Sequence, residues 1–201
     1  CDKLLIPEDF RSIFSLCTIV PEKMDQNEKE RTVHVGNGRI VEKWLDFSAS
    51  VKDEVFQGNF QNKQAKIFVR MKFYKRMILD LVSQDNVVMD LIYKQIHWKI
   101  CTSEFSCHDF ECVNLAALSL QKQFGDYSSS KFKPGFLRRL ILLGEFLPLK
   151  NDYISINSDN VLEWENRLTN LWHLKYTLEY TRKRAARQYV HSVISSIATA
   201  G

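Results

Sequence analysis

The chain has 201 residues, of which 45% are hydrophobic and 26% charged, with only 7 Gly and 4 Pro and a net charge of +4. Such a composition buries a core of one large or two small domains and excludes long flexible linkers. The mild basicity admits an acidic partner such as anionic lipid and gives no footing for nucleic acid.

Cysteines stand at positions 1, 17, 101, 107 and 112. An odd, irregularly spaced set is unlike a secreted disulfide framework, and it reads as free thiols in a reducing compartment. No window approaches 18 uninterrupted apolar residues, which excludes a helical membrane span, and no signal peptide is visible. The chain opens on Cys1 in place of Met, which reads as a cut from something longer.

In chain order, Pro7 followed by Glu8-Asp9 reads as the end of a helix or loop and then a turn. Ile13 to Val20 is rich in β-branched and aromatic residues, with Phe14, Leu16 and Val20 on one face, and predicts a strand. Glu22 to Glu30 is a polar loop. Arg31 to Val35 predicts a short strand ended by Gly36-Asn37-Gly38. Ile40 to Phe47 has Val41, Trp44 and Leu45 on one side and predicts a short helix. Gly58 to Lys63 is a polar turn. Lys66 to Phe73 predicts a strand, with Ile67, Val69, Met71 and Phe73 facing one way and Arg70 and Lys72 the other.

From residue 84 to 198 the period is helical. Val88, Ile92, Ile96 and Ile100 step by four behind a cap at Asp85 or Ser83. Phe110, Val113, Ala117, Leu120 and Phe124 form a second stripe, stopped by Gly125. Ser128 to Ser130 is a loop. Pro134-Gly135 opens one or two short apolar helices from Phe136 to Leu147, ended by Pro148. Trp164, Leu168, Leu171 and Trp172 mark another helix, and Ala186, Tyr189, Val193 and Ile197 the last. Such stripes bury themselves against one another in an antiparallel bundle. The fold class is therefore α+β, a β-rich lobe followed by an all-helical one. Rossmann-type folds, which alternate strands and helices, are excluded.

Several runs resemble the FERM family. Arg70-Met71-Lys72-Phe73-Tyr74 is similar to the strand that ends the ubiquitin-like first lobe. Leu115 to Tyr127, closing on Phe124-Gly125-Asp126-Tyr127, resembles a second-lobe helix and its turn. Lys131-Phe132-Lys133-Pro134-Gly135-Phe136-Leu137 and Glu145-Phe146-Leu147-Pro148 are similar to second-lobe steps. So is the pairing of Trp164 to Arg167 with the helix from Ala185 to Ile197. Pro7 to Phe10 and Phe14 to Cys17 resemble the later half of a first lobe more loosely, with Trp44 near its last helix. The details look nearest the Krev-interaction-trapped branch, with myosin-tail FERM domains as competitor. The resemblance implies residues 1–75 as a partial ubiquitin-like first lobe that lacks its start. It implies residues 76–201 as a helical second lobe like acyl-CoA-binding protein, with the third, PTB-like lobe outside the chain. It further implies a non-enzymatic adaptor in the cytoplasm, peripheral to the plasma membrane or cell cortex, without cofactors. Protein partners would be a small Rap-type GTPase, a receptor tail or a cytoskeletal protein. The alternative is a cargo-binding segment of a motor or a regulatory segment of a signalling enzyme.

Basic residues cluster at Lys131, Lys133, Arg138 and Arg139, at Arg182, Lys183, Arg184 and Arg187, and at Lys72, Lys75 and Arg76. Near an anionic membrane each contributes roughly 1 kcal/mol, and the competing reading is a solvated face neutralised by nearby Glu and Asp. Cations at the start of the last helix are poorly placed for its dipole. Cys101, Cys107, His108 and Cys112 tempt a zinc reading, but no CxxC pair exists and the apolar neighbours favour buried thiols. His34, His97, His108, His173 and His191 are scattered, and no Gly-framed Ser, His-Glu-x-x-His or phosphate loop accompanies them. Trp98, Trp164 and Trp172 read as core. Phe47, Phe56 and Phe60 read either as exposed anchors for a partner or as packing between lobes.

Overall fold

The computed structural model describes residues 6–21, 31–35, 38–45, 66–71, 85–151 and 153–199. Lys72, Lys75, Arg76, Phe47, Phe56, Phe60, the Gly36-Asn37 turn and the predicted loops at 22–30 and 58–63 lie outside the described residues. The chain divides at Phe73/Tyr74 into two units, and its character is mixed α+β.

In the first unit, Phe10 N–H donates to the Pro7 carbonyl, and a 3-10 helix, Glu8–Ile13, replaces the expected turn. Strands β1 (Phe14–Pro21), β2 (Arg31–Val35), β3 (Gly38–Trp44) and β4 (Lys66–Met71) follow. They form one sheet in the order β2-β3-β1-β4, and every pairing is antiparallel. Where a short helix is expected from Ile40 to Phe47, Asp46 and Phe47 lie outside the described residues and Ile40 to Trp44 belong to β3. Its neighbours β1 and β2 satisfy the backbone on both sides, from Cys17↔Trp44 and from Arg31↔Glu42. An apolar run this short does not distinguish the two periods by itself.

β4 alternates as predicted only at its end. Met71 is fully buried opposite Phe14, whereas Ile67 is 45% exposed and Arg70 only 5% exposed. Arg70 lies opposite Ser15 in register, and its guanidinium stands 5.6 Å from the centre of the Phe68 ring. Its long apolar stem lets such a residue occupy an inner face.

The second unit contains α1 (Asn86–Cys101), α2 (Asp109–Phe124), α3 (Arg138–Leu142), α4 (Val161–Leu171) and α5 (Arg182–Thr199). Asp85 caps α1, accepting from the Val87 and Val88 amides at 2.8 and 2.9 Å. α2 is the central helix and packs against α5, α4 and the turn after α4. Ala116 and Ala117 are fully buried, so backbones approach closely there. Phe110 departs from the predicted stripe and is 71% exposed. α3 is shorter than expected because Gly144, at φ +71°, turns the chain. Glu145 N–H then donates to the Leu140 carbonyl and closes a Schellman end. α4 widens into a π turn, Trp172–Tyr176, which buries both Trp172 and Tyr176.

A polar chain crosses the interior. His97 Nε2 donates to the Glu145 carbonyl at 2.8 Å, so Nδ1 accepts from the Tyr189 hydroxyl at 3.3 Å. The Tyr93 hydroxyl bonds Ser119 at 2.6 Å. Burial lowers His97 from 6.5 to about 4, against the opposing carbonyl bond, and pushes the Tyr93 phenol up to about 12. The unfolded chain therefore takes up the His97 proton near pH 6.5 and the folded chain only near pH 4. Stability is complete above 6.5 and falls as pH drops through that window. Urea titrations should show a loss of about 2 kcal/mol between pH 7 and pH 5 that His97→Gln removes; equal losses in both proteins would refute this assignment.

Candidate docking surface

The eight cations singled out in the sequence lie on two segments, the loop leading into α3 and the start of α5, and each segment is anchored to the end of α2 by at least one contact. That end has carbonyls with no helical partner, and several side chains answer them. Arg182 Nη2 donates to the Phe124 carbonyl at 3.1 Å. The cation that opens α5 thereby closes α2, where the dipole favours it. Gly125 is required at this contact: its φ is +80°, and an added Cβ would stand 3.4 Å from Arg182 Nε. Trp172 Nε1 donates to the Gly125 carbonyl at 3.0 Å and to Gln121 Oε1 at 2.8 Å. Gln121 Nε2 donates in turn to the Tyr180 carbonyl and to Asp126 Oδ1. The Gln121 bond, then the Leu178 amide, hold the Asp126 carboxyl below its usual range.

The loop carrying Lys131 and Lys133 is attached to the same end. Phe132, between them, packs its ring against Phe124 and Trp172 at centroid distances of 5.7 and 4.8 Å. Phe136 meets Phe124 edge-on at 5.4 Å. Next to this cluster lies Glu165, only 4% exposed. Its Oε1 accepts from the Gly135 and Leu137 amides at 2.7 and 3.2 Å, and its Oε2 from Arg138 Nε at 2.8 Å. One buried carboxylate thus holds the turn that leads into α3.

The eight basic residues therefore separate into two kinds. Arg138 is tied to Glu165, Arg182 to Phe124, and Arg184 to the Glu179 carbonyl at 3.0 Å with its guanidinium 4.5 Å over the Tyr180 ring. Lys131, Lys133, Arg139, Lys183 and Arg187 are exposed. Among the described residues none of these five makes an ion pair. Thr181 Oγ1 accepts from the Arg184 amide at 3.2 Å and starts α5, whose first turn holds no carboxylate.

Glu165 escaped the sequence reading, although a signal was present. It falls on the Val161, Trp164, Leu168 stripe of α4, where a carboxylate is buried and must be paired. The Cys/His cluster resolves differently from expectation. Cys107 and Cys112 are joined as a disulfide, which corrects the reading of free thiols. The positions explain it: His108 is the N-cap of α2, its carbonyl accepting from the Cys112 amide at 2.9 Å and its own amide donating to Glu111. Cys107 and Cys112 are then the residue before the cap and the fourth residue of the helix, which pack together in a hydrophobic staple. Among the described residues no three His, Cys, Asp or Glu side chains converge on a point, and no helix is long and apolar enough to cross a membrane.

Residues 79–197 match the model of the FERM central domain. The chain is 32% identical over 103 residues to Moesin/ezrin/radixin homolog 1 of Culex quinquefasciatus, a stretch covering 51% of this chain and 17% of that protein. It is 33% identical over 76 residues to FERM domain-containing protein A of Dictyostelium discoideum, covering 37% of this chain and 7% of that one. In structure it is similar to the complex of the FERM and C-terminal domains of Drosophila Merlin. The TM-score is 0.61 at 19% identity, over 96% of this chain and 55% of that chain.

Glu165→Ala should cost about 3 kcal/mol in denaturant unfolding, because two amides and a guanidinium lose their acceptor. Arg138→Ala should cost less than about 1 kcal/mol, since that side chain is half exposed. Equal costs for the two would contradict the hub role of the carboxylate.

Proposed function

We propose a docking role for this chain, which belongs to the FERM family through a central domain spanning residues 79–197. In this reading it is a non-enzymatic scaffold that works in the cytoplasm at the membrane periphery or cell cortex. It links membrane proteins or a small Rap-type GTPase to cytoplasmic or cytoskeletal partners. Residues 1–75 act as the first lobe and residues 76–201 as the second. The similarity to Moesin/ezrin/radixin homolog 1 supports the scaffold reading. The junction sequence Arg70 to Tyr74 supports a FERM first lobe ending there, and the finer choice of the Krev-interaction-trapped branch and its GTPase rests on the overall resemblance of the sequence.

One observation carries the membrane side of the proposal. Lys131, Lys133, Arg139, Lys183 and Arg187 are exposed cations on segments anchored to one end of α2, and no carboxylate neutralises them among the described residues. Against an anionic surface each contributes about 1 kcal/mol, and the sum decays within a Debye length. Arg138, Arg182 and Arg184 serve the fold and contribute less to the surface.

Co-sedimentation with phosphatidylserine-containing vesicles tests this. Changing the five free cations to Glu should weaken binding more than about 100-fold, while Arg138→Gln leaves it within a few-fold. Vesicle binding that ignores the five-fold reversal would dismiss the surface. For the partner side, a GTP-loaded Rap-type GTPase should be retained by the chain and its GDP form should not; equal retention of both would remove the GTPase from the proposal.

A further inference from the structure

A cavity of about 380 Å³ lies in the second unit between α2, α5 and the π turn. Ile100, Leu115, Leu118 and Val193 form its apolar wall, and Tyr176 and Tyr180 add aromatic faces. Its rim is the segment that joins α1 to α2, including Phe105, Ser106 and Cys107, together with Phe110. Cys107 is bonded to Cys112, and the two Cα atoms are 5.8 Å apart. The bond therefore spans from the cavity rim to the first turn of the central helix.

We propose that Cys107 and Cys112 form a reversible redox site, a dithiol that a low-molecular-weight disulfide such as glutathione disulfide oxidises to lock the rim of this cavity. Three observations carry it. First, the bonded residues occupy the two staple positions of α2, which lie in contact whether or not a bond joins them. The cap itself is made by Glu111 on the His108 amide and by the Cys112 amide on the His108 carbonyl, so the helix start is complete in the reduced chain. Second, Cys107 lines the cavity at 5% exposure, whereas Cys112 is 1% exposed and does not line it, so Cys107 is the sulfur that a disulfide entering from the cavity side would meet first. Third, the other described cysteines are poor competitors. Cys17 is fully buried in the other unit, and burial pushes the Cys101 thiol up to about 12, which leaves little thiolate to attack.

The chemistry balances without another reactant. The Cys107 thiolate attacks one sulfur of glutathione disulfide, forming a mixed disulfide and releasing one glutathione thiolate. The Cys112 thiolate then attacks the Cys107 sulfur and releases the second. Two protein thiols lose two electrons, the small disulfide gains them, and the two thiol protons end on two molecules of glutathione. The positive end of the α2 dipole at this turn favours the attacking thiolates. Of the two acidic residues of the turn, Asp109 is engaged by both guanidinium nitrogens of Arg167 and Glu111 by the His108 amide. In a reducing compartment a disulfide of this kind serves sensing. With the bond closed, the rim from Phe105 to Cys107 is covalently tied to α2; with it open, the rim keeps the Phe105 amide bond to the Lys99 carbonyl at 3.1 Å, the Lys99 ammonium near the Phe105 ring and the Asn151 bond to the Cys107 carbonyl at 3.3 Å, and loses its covalent tie to the helix.

The full chain, equilibrated in glutathione buffers from fully reduced to fully oxidised, should be acid-quenched, alkylated and mapped by mass spectrometry. The expected result is a Cys107–Cys112 cross-link whose population rises with the oxidised fraction and reverses on return to reduced glutathione. The oxidised form should melt about 5 °C higher and should bind an apolar fluorescent dye in the cavity differently from the reduced form. Cys107→Ala and Cys112→Ala should each abolish the cross-link and the melting shift, and Cys101→Ala neither. Thiols that stay free in glutathione disulfide, a cross-link to Cys101 or Cys17, or a bond that survives cytosol-like reduced glutathione would each overturn the proposal. Identical dye binding by both forms would overturn the coupling to the cavity.

Discussion

Helix α2 ends inside the second unit, and its last carbonyls and the amide of Gln121 must find partners there. Gln121 is buried on the central helix and is bonded on both sides of its amide, by Trp172 on the oxygen and to Asp126 and Tyr180 on the nitrogen. Through those bonds the π turn after α4 and the segment entering α5 are held at fixed places. Arg182 completes the arrangement at the Phe124 carbonyl. A buried amide left half-satisfied costs the desolvation of each unmet group, about 1–3 kcal/mol. The same requirement that closes the helix therefore positions the surface that surrounds it.

This geometry removes the electrostatic oddity in α5. Cations in a first helical turn oppose the dipole of their own helix, yet here Arg182 serves the opposite pole of a neighbouring one. Arg184 lies over Tyr180 and on a backbone carbonyl. What remains, Lys183 and Arg187 with Lys131, Lys133 and Arg139, is exposed positive charge with no ion pair among the described residues. A solvated face neutralised by nearby carboxylates is the competing account, and among the described residues no carboxylate pairs with these five.

Much of the helical unit was legible because its apolar stripes are long. Val88 to Ile100 and Ala185 to Val193 repeat over several turns, and Asp85 and Gly125 punctuate them. The first unit was less legible where runs are short. Ile40 to Phe47 carries apolar spacing that fits either period, and the presence of two partner strands makes its described part, Ile40 to Trp44, a piece of β3. Arg70 and Ile67 exchanged their expected environments because burial depends on what lies above a strand as well as on its alternation. The site was legible as composition and illegible as organisation. Eight cations could be named from the sequence, but which of them are engaged depends on Glu165, Phe124 and Tyr180, residues distant in the chain. The disulfide had a local signal, two cysteines at the staple positions of a helix start, that overall cysteine counting obscured.

The central claim is that the loop at 128–139 and the start of α5 act as one surface because both are anchored to the end of α2. Hydrogen–deuterium exchange of the chain with and without anionic vesicles tests it most directly. The account predicts joint protection of residues 131–139 and 182–187, lost together when Phe132→Ser detaches the loop from Phe124. Protection of one segment without the other, or protection confined to other parts of the helical unit, would contradict it.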